Sequence, residues 1–468
     1  MKKLFFSAYF ILLTSYLFSQ IDMGLPSATS KGGVANGILY DWECIGVNPA
    51  NLGWEKNHLF SISAGIFGIS AQSQALDYTQ LKTAIIHPND TFSAAAKKSF
   101  ADLFTNTNGL NLQSNLNWLT FSFRIPKVGG FAMNVRDRTF AHVYLNQNAA
   151  DILFLGENAP IFHDPNTYAH PENISKVFDG SNVSYLHYRE MNLSYGAKLF
   201  GIGGTKDSSA VSFYGGIGFK YLWGLGDLEM NANNGVLTGH SAFTSSYGIN
   251  YGTINDFAPQ STPGIFPSVG NGTAWDLGAG IKIGKIKITA SAVDIGQITW
   301  NKNVLNAQDT LLPDTTKFNF SGVNSWNMSH QANHLFNQNG IIKFKPGKDY
   351  TTTLPSRFRI GIGYQITRRV IAGADMVMPI SDNKANLQQA FYAIGTEMTL
   401  ANNFKFSFGI AGNSTYGFSI PMGVVLGHFF KIMEVSIATN NILTYLSHGS
   451  NPNISLSLSL FRFNVNKK

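Results

Sequence analysis

Residues Asn453 to Val465 read NISLSLSLFRFNV. Ile454, Leu456, Leu458 and Leu460 fall on one side of an extended chain, and Ser455, Ser457 and Ser459 fall on the other. This strict period of two specifies a strand, not a helix. A strand at the end of a chain leaves a row of unpaired backbone groups. Closing the sheet, so that the last strand pairs with the first, removes that edge. A soluble sandwich, which could bury the same leucine face against a second sheet, is the competing arrangement.

The same alternation runs upstream. Phe60, Ile62, Ala64 and Ile66 oppose Ser61, Ser63 and Gly65, and Leu119, Phe121, Phe123 and Ile125 oppose Thr120, Ser122 and Arg124. Further strands are expected at Gly129–Thr139, Tyr188–Leu199, Val211–Trp223, Trp275–Ile283, Ile286–Ala292, Arg357–Thr367, Val370–Met378, Tyr392–Leu400, Phe404–Ile410, Tyr416–Leu426 and Met433–Thr439. Gly284 and Lys285 form a tight turn between two of them. The total is about fourteen, the even number expected when both ends of a barrel lie on one side. Pro421 interrupts one strand and requires a bulge there, because proline cannot donate to the ladder.

The connections alternate as well. Those at Ala71–Asn115, Phe140–His187, Gly224–Ala274 and Val293–Ser356 are long, whereas those between them, such as Pro126–Gly130 and Thr367–Arg368, are short. Long outer loops and short periplasmic turns characterise outer-membrane barrels, and a sandwich has no reason to sort its loops by parity. Composition agrees: 13% of residues are charged, 13% are aromatic and 46 are glycine. This suits a barrel with lipid outside and a polar lumen. No uninterrupted apolar run after the N-terminus is long enough for a spanning helix. The net charge of +7 is too dispersed to point to nucleic acid.

At the N-terminus, Lys2 and Lys3 precede an apolar run from Leu4 to Phe18. This reads as a secretory signal over residues 1–19, cleaved near Ser19 or Gln20. Residues 20–56 are rich in small residues and lack alternation, and are expected to form a compact plug, or hatch, in the lumen of a barrel spanning 57–468. Cys44 is the single cysteine, so no internal disulfide supports the fold.

Charges on the polar faces must turn inward, since a midplane Arg or Lys facing lipid costs about 2–4 kcal/mol. The lumen set is Arg124, Arg136, Arg138, Glu190, Lys198, Lys220, Lys287, Arg357, Arg359, Asp375, Glu397, Lys405 and Glu434. These charges either pair with one another and with the plug, or line a polar passage whose gating they set. Arg357 and Arg359, two apart on one face, are placed to hold an anion or a plug carboxylate such as Asp41 or Glu43. Gly361, Gly363, Gly395 and Gly409 leave room on the inner face. Other chemistry is not indicated. His330 and His334 have helical metal-ligand spacing but lack a third ligand or a following Glu. There is no GxSxG elbow and no nucleotide-binding glycine motif. We therefore expect no enzyme activity, metal or cofactor.

The segment GGVANGILYDWECIGVNPANLGW, Gly32 to Trp54, resembles the N-terminal region of the long-chain fatty-acid transporter (FadL-type) outer-membrane family and of the related PorV-type barrels of Bacteroidota. In those relatives a glycine- and alanine-rich stretch leads through an acidic residue, here Asp41, to an Asn-Pro-Ala trio, here Asn48, Pro49 and Ala50. The resemblance extends to the fourteen-strand plan, and is closest to a Bacteroidota branch of that superfamily. The basic tail after Phe461 and Phe463 departs from the usual terminal aromatic signal. The resemblance implies an outer-membrane location, an N-terminal hatch and, in some members, diffusion of hydrophobic molecules. For PorV-like members it implies service to type IX secretion. Two functions are therefore expected as alternatives. One is a barrel that binds or passes hydrophobic or amphipathic small molecules. The other is a non-transporting docking protein with a secretion or surface-protein partner.

Overall fold

The computed structural model describes residues 24–104, 108–205, 208–249, 254, 257–313, 320–326, 341–383, 386–387, 389–401, 404–413, 417–429, 433–447 and 452–465. The signal segment and the His330–His334 pair lie outside them. Fourteen strands form the wall: β1 (Phe60–Ser73), β2 (Gly109–Ile125), β3 (Gly129–Tyr144), β4 (Asn182–Thr205), β5 (Ser208–Asn233), β6 (Gly270–Ile283), β7 (Ile286–Trp300), β8 (Arg357–Thr367), β9 (Val370–Pro379), β10 (Phe391–Ala401), β11 (Phe404–Asn413), β12 (Met422–Phe429), β13 (Met433–Thr439) and β14 (Asn453–Val465). Every neighbour is antiparallel. β14 pairs with β1 from Phe60↔Val465 to Gln72↔Asn453, so the cylinder closes on the stretch quoted first.

Alternation decides which way each side chain points. Ser455, Ser457 and Ser459 are buried in the lumen, and Leu460 is exposed outside. Leu193, Ile217, Leu277, Ile288, Ile362, Ile394, Ile410 and Ile437 are likewise exposed, giving the apolar outer band of a transmembrane barrel. Among the described residues no helix is long and apolar enough to span a membrane. Rings mark the turn end of this band: Phe123 stacks on Phe131 at 5.2 Å, and Phe131 meets Tyr195 at 4.7 Å.

Three expectations are corrected. Ile66 does not join the outward row but is fully buried in the lumen. Gly65 adopts φ +66°, which reverses the phase of β1 between the pairs Ala64↔Phe461 and Ile66↔Ser459. On β14 the phase changes at the same level, bringing Arg462 inward. Second, the expected strand at Tyr416–Leu426 is split into Gly417–Ser419 and β12, with Pro421 in the break and its carbonyl accepting from Gly409 N at 3.1 Å. Tyr416 lies outside the described residues. Third, the long connections are partly ordered structure. β4 and β5 run beyond their expected ends, and short strands at Val236–Phe243, Leu305–Gln308, Lys343–Pro346 and Tyr350–Thr353 raise the wall at the loop end.

The loops also carry helices: α1 (Tyr78–Ile86), α2 (Ala94–Leu103) and α3 (Gln147–Leu155). Their starts are fixed locally. Asp77 and Gln80 form a reciprocal capping box, while the Ser93 and Asn146 side chains accept from Ala96 N and Ala149 N. Leu81, Phe100, Phe104, Phe154, Phe162 and Phe320 pack into one apolar core, so the loops form a folded cap rather than separate tethers.

Candidate functional site

Residues 24–57 lie inside the cylinder, and nearly all of them are buried. They add no strand to the wall ladder. The segment is held by side-chain bonds and by close fit. Asn48 is central: its amide nitrogen donates to Asn36 Oδ1 (2.9 Å) and, on the wall, to Ala290 O (3.2 Å) and Ala279 O (3.3 Å), while its Oδ1 accepts from Ala50 N (3.0 Å). Pro49, with fixed φ and no N–H to satisfy, opens the short 3₁₀ turn Pro49–Gly53. That turn rests on the wall where there are no side chains. A methyl group at Gly130, Gly196, Gly216 or Gly278 would overlap Leu52, Pro49, Ala50 or Asn48 respectively.

The same device recurs opposite. Gly363 lies against Gly37, and Gly395 and Gly409 lie against Lys31. Asp375 Oδ2 accepts from both Ala35 N (2.9 Å) and Asn36 N (2.8 Å). Lys31, wholly buried, donates to Glu397 Oε2 at 3.0 Å, and Lys405 stands 3.6 Å from the other oxygen of that carboxylate. Glu43 meets Arg462 at 3.5 Å; Arg462 also pairs with Glu434 (3.3 Å) and lies over the Trp42 ring. At the turn end, Arg124 Nε donates to Asn57 O at 3.1 Å. Glu55 accepts from Tyr214 Oη (2.9 Å) and from Lys282 (3.4 Å). A small cleft remains between the segment and β9–β14, lined by Tyr40, Glu43, Lys56, Glu397 and Arg462.

Asp41 and Glu43 do not serve Arg357 and Arg359 as expected. Asp41, at φ +54°, accepts from the backbone of His58 (2.8 Å) and pairs with its ring, while Glu43 goes to Arg462. Asp41 therefore folds the segment back onto the start of β1 instead of bridging to the wall. Arg357 donates to Asn386 Oδ1 at 3.2 Å, beneath a loop, and the Arg359 carbonyl accepts from Asn36 Nδ2 at 3.2 Å. Cys44 is buried, its thiol donating to Asp41 O at 2.9 Å; burial, reinforced by Asp41, pushes its pKa well up.

Toward the loop end lie six buried charges. Arg136 Nε donates to Glu190 at 2.6 Å, and Arg138 Nη1 lies 2.9 Å from Asp294 and 3.8 Å from Glu190. Lys220 sits 2.9 Å from Asp276 and also bonds Asp294. Three cations face three carboxylates, so the cluster carries no net charge. Of these, Asp276 and Asp294 were not singled out from sequence; both end or interrupt apolar runs and lack neighbours in sequence to reveal them. Beyond the cluster the lumen becomes apolar: Phe140, Tyr188, Leu222, Ile298 and Trp300 form one buried layer beneath the cap.

A family model described as "Family of unknown function (DUF5723)" matches residues 49–433. The chain belongs to this family. No curated protein matches it. The DUF5723 barrel is similar to solved FadL-type outer-membrane channels. Against the toluene transporter TbuX of Ralstonia pickettii, identity is 12%, with 96% of this chain and 99% of the other covered at a TM-score of 0.45. The toluene transporter TodX of Pseudomonas putida gives 9%, 96%, 98% and 0.45, and a FadL homologue of Pseudomonas aeruginosa gives 8%, 96%, 99% and 0.42.

Proposed function

We propose that this DUF5723 protein resides in the bacterial outer membrane and binds or passes hydrophobic or amphipathic small molecules, with residues 24–57 acting as the hatch. The observation that carries this reading is the apolar layer of Phe140, Tyr188, Leu222, Ile298 and Trp300 in the upper lumen. A water-filled pore keeps its inner face polar, whereas a ligand site is mainly apolar with a few placed polar groups. Beneath the layer, the neutral ionic cluster and the hatch stand in the axial path. The hatch is attached by hydrogen bonds, ion pairs and close contact rather than by strand pairing, so its movement leaves the cylinder intact.

Deleting residues 32–51 tests this. The variant is expected to raise conductance or uptake of an apolar solute in liposomes. An unchanged barrier would remove the hatch from the proposal. A second reading, docking to a secretion or surface protein without flux, is favoured by one observation, the uncovered end of the β4–β5 hairpin.

A further inference from the structure

The β4–β5 hairpin is longer than its surroundings require. Pairing with β3 ends at Gly130↔Gly196, and pairing with β6 ends at Val211↔Ile283, yet β4 and β5 continue to pair with each other as far as Thr205↔Ser208. At about 3.3 Å per residue, the last pair stands roughly 10 Å along β5 beyond the end of pairing with β6, and roughly 30 Å along β4 beyond the end of pairing with β3. It also lies past the ring formed by Phe123, Phe131 and Tyr195. Among the described residues, Leu199–Gly204 has no ladder partner on the β3 side.

This ribbon is not built as a water-facing end. Leu199, Phe200 and Ile202 are 63%, 53% and 59% exposed. A free strand edge with uncovered apolar side chains is normally blunted or covered. The occupant that satisfies both features is another extended chain, whose backbone fills the edge and whose alternate side chains cover the apolar ones. Its charge is set by the surroundings: exposed Lys127 stands in the β2–β3 turn beside this edge, whereas Lys285, across the hairpin, donates to Ile366 O at 3.4 Å. Among the described residues, the carboxylate near this edge is Glu55, which is already engaged by Lys282 and Tyr214.

We propose that the free β4 edge of this hairpin, Leu199–Gly204, is a docking edge for an extended segment of a periplasmic protein that alternates apolar with acidic residues. The periplasmic assignment rests on the outer-membrane reading above; the edge itself does not depend on transport. The site also touches the hatch, since Gly53 packs on the Ala197 backbone and Lys198 lies 3.8 Å from Glu55.

The test uses the full-length barrel in detergent and in nanodiscs. The probes are a seven-residue blocked peptide alternating valine with glutamate and its valine–lysine counterpart. The acidic peptide is expected to bind at least ten-fold tighter than the basic one. Leu199→Asp and Ile202→Asp should each weaken it at least ten-fold while the heat-dependent shift of the folded barrel on gels is retained. Equal binding of both peptides, binding of neither, or binding unaffected by the two variants would overturn the proposal. So would a stable dimer formed through the tip, or quenching of a Phe200→Trp probe by brominated lipid. Failure of the 32–51 deletion to change permeability would leave the peptide result intact, so the two readings fail separately.

Discussion

Asn48, Pro49 and Ala50 sit where the wall has been reduced to backbone, so the fit fails if a single carbon is added opposite them. Gly196→Ala would place a methyl group on the Pro49 carbonyl, at a β4 position with an ordinary strand conformation. The strand should tolerate alanine; the N-terminal segment should not. Cys44 reports this directly, being the sole cysteine and buried. Labelling of Cys44 by a maleimide in the folded barrel should rise at least ten-fold in Gly196→Ala, and Asn48→Ala should act in the same direction. Unchanged labelling would mean that the segment does not depend on this seat.

Glu55 gives a pH dependence at the same scale. Burial pushes its pKa up, but the backbone amide, Lys282 and the Tyr214 hydroxyl outweigh burial, and the net shift is downward. A depressed carboxylate pKa adds stability above the unfolded value, about 4.3, and loses it as pH falls through the folded value. Because Glu55 is half exposed, the contribution is under about 1 kcal/mol. Between pH 6 and pH 3, Glu55→Gln should lose less melting temperature than the parent protein. An identical loss in both would show that Glu55 does not couple the segment to the wall.

At the scale of elements, the period-two reading was sound wherever both faces of a strand are uniform, because lipid and lumen impose opposite demands on successive residues. It slipped at Gly65, where a left-handed residue reverses the phase and carries Ile66 into the lumen; composition offers no sign of such a reversal. The helices α1 to α3 lay within segments read only as long loops, although Asp77 with Gln80, Ser93 and Asn146 are recognisable caps. Attention to alternation alone passes over a three- to four-residue period. Strand faces permit a sharp prediction. Ile394→Arg, on the lipid face of β10, should destabilise folding into liposomes by about 2–4 kcal/mol, measured by denaturant titration. Ser407→Arg, on the inner face of the adjacent β11, is a contrasting case whose cost depends on packing rather than lipid. Equal costs for both would argue against the assigned faces.

For the molecule as a whole, the closed cylinder and the inward placement of charge were legible, whereas the partners of those charges were not. Arg136 and Arg138 come from β3 and Lys220 from β5, and they meet carboxylates up to 156 residues away, such as Asp294. Register and curvature decide these meetings, and one sequence does not contain them in readable form. The cluster is balanced, so truncating one member leaves a charge without its counterpart. Lys220→Met should cost about 3–5 kcal/mol in barrel stability, with Asp294→Asn added to it restoring part of the loss. Strict additivity of the two would show that Lys220 and Asp294 do not act as a pair.

The glycine cradle also bears on what the proposed opening requires. The N-terminal segment meets bare backbone at Gly130, Gly196, Gly216 and Gly278 on one side and at Gly363 and Gly395 on the other. A surface stripped of side chains has no knobs to interlock, so once its hydrogen bonds and ion pairs part, the segment leaves these seats without any wall side chain changing rotamer. The wall serves it as a smooth bore serves a piston.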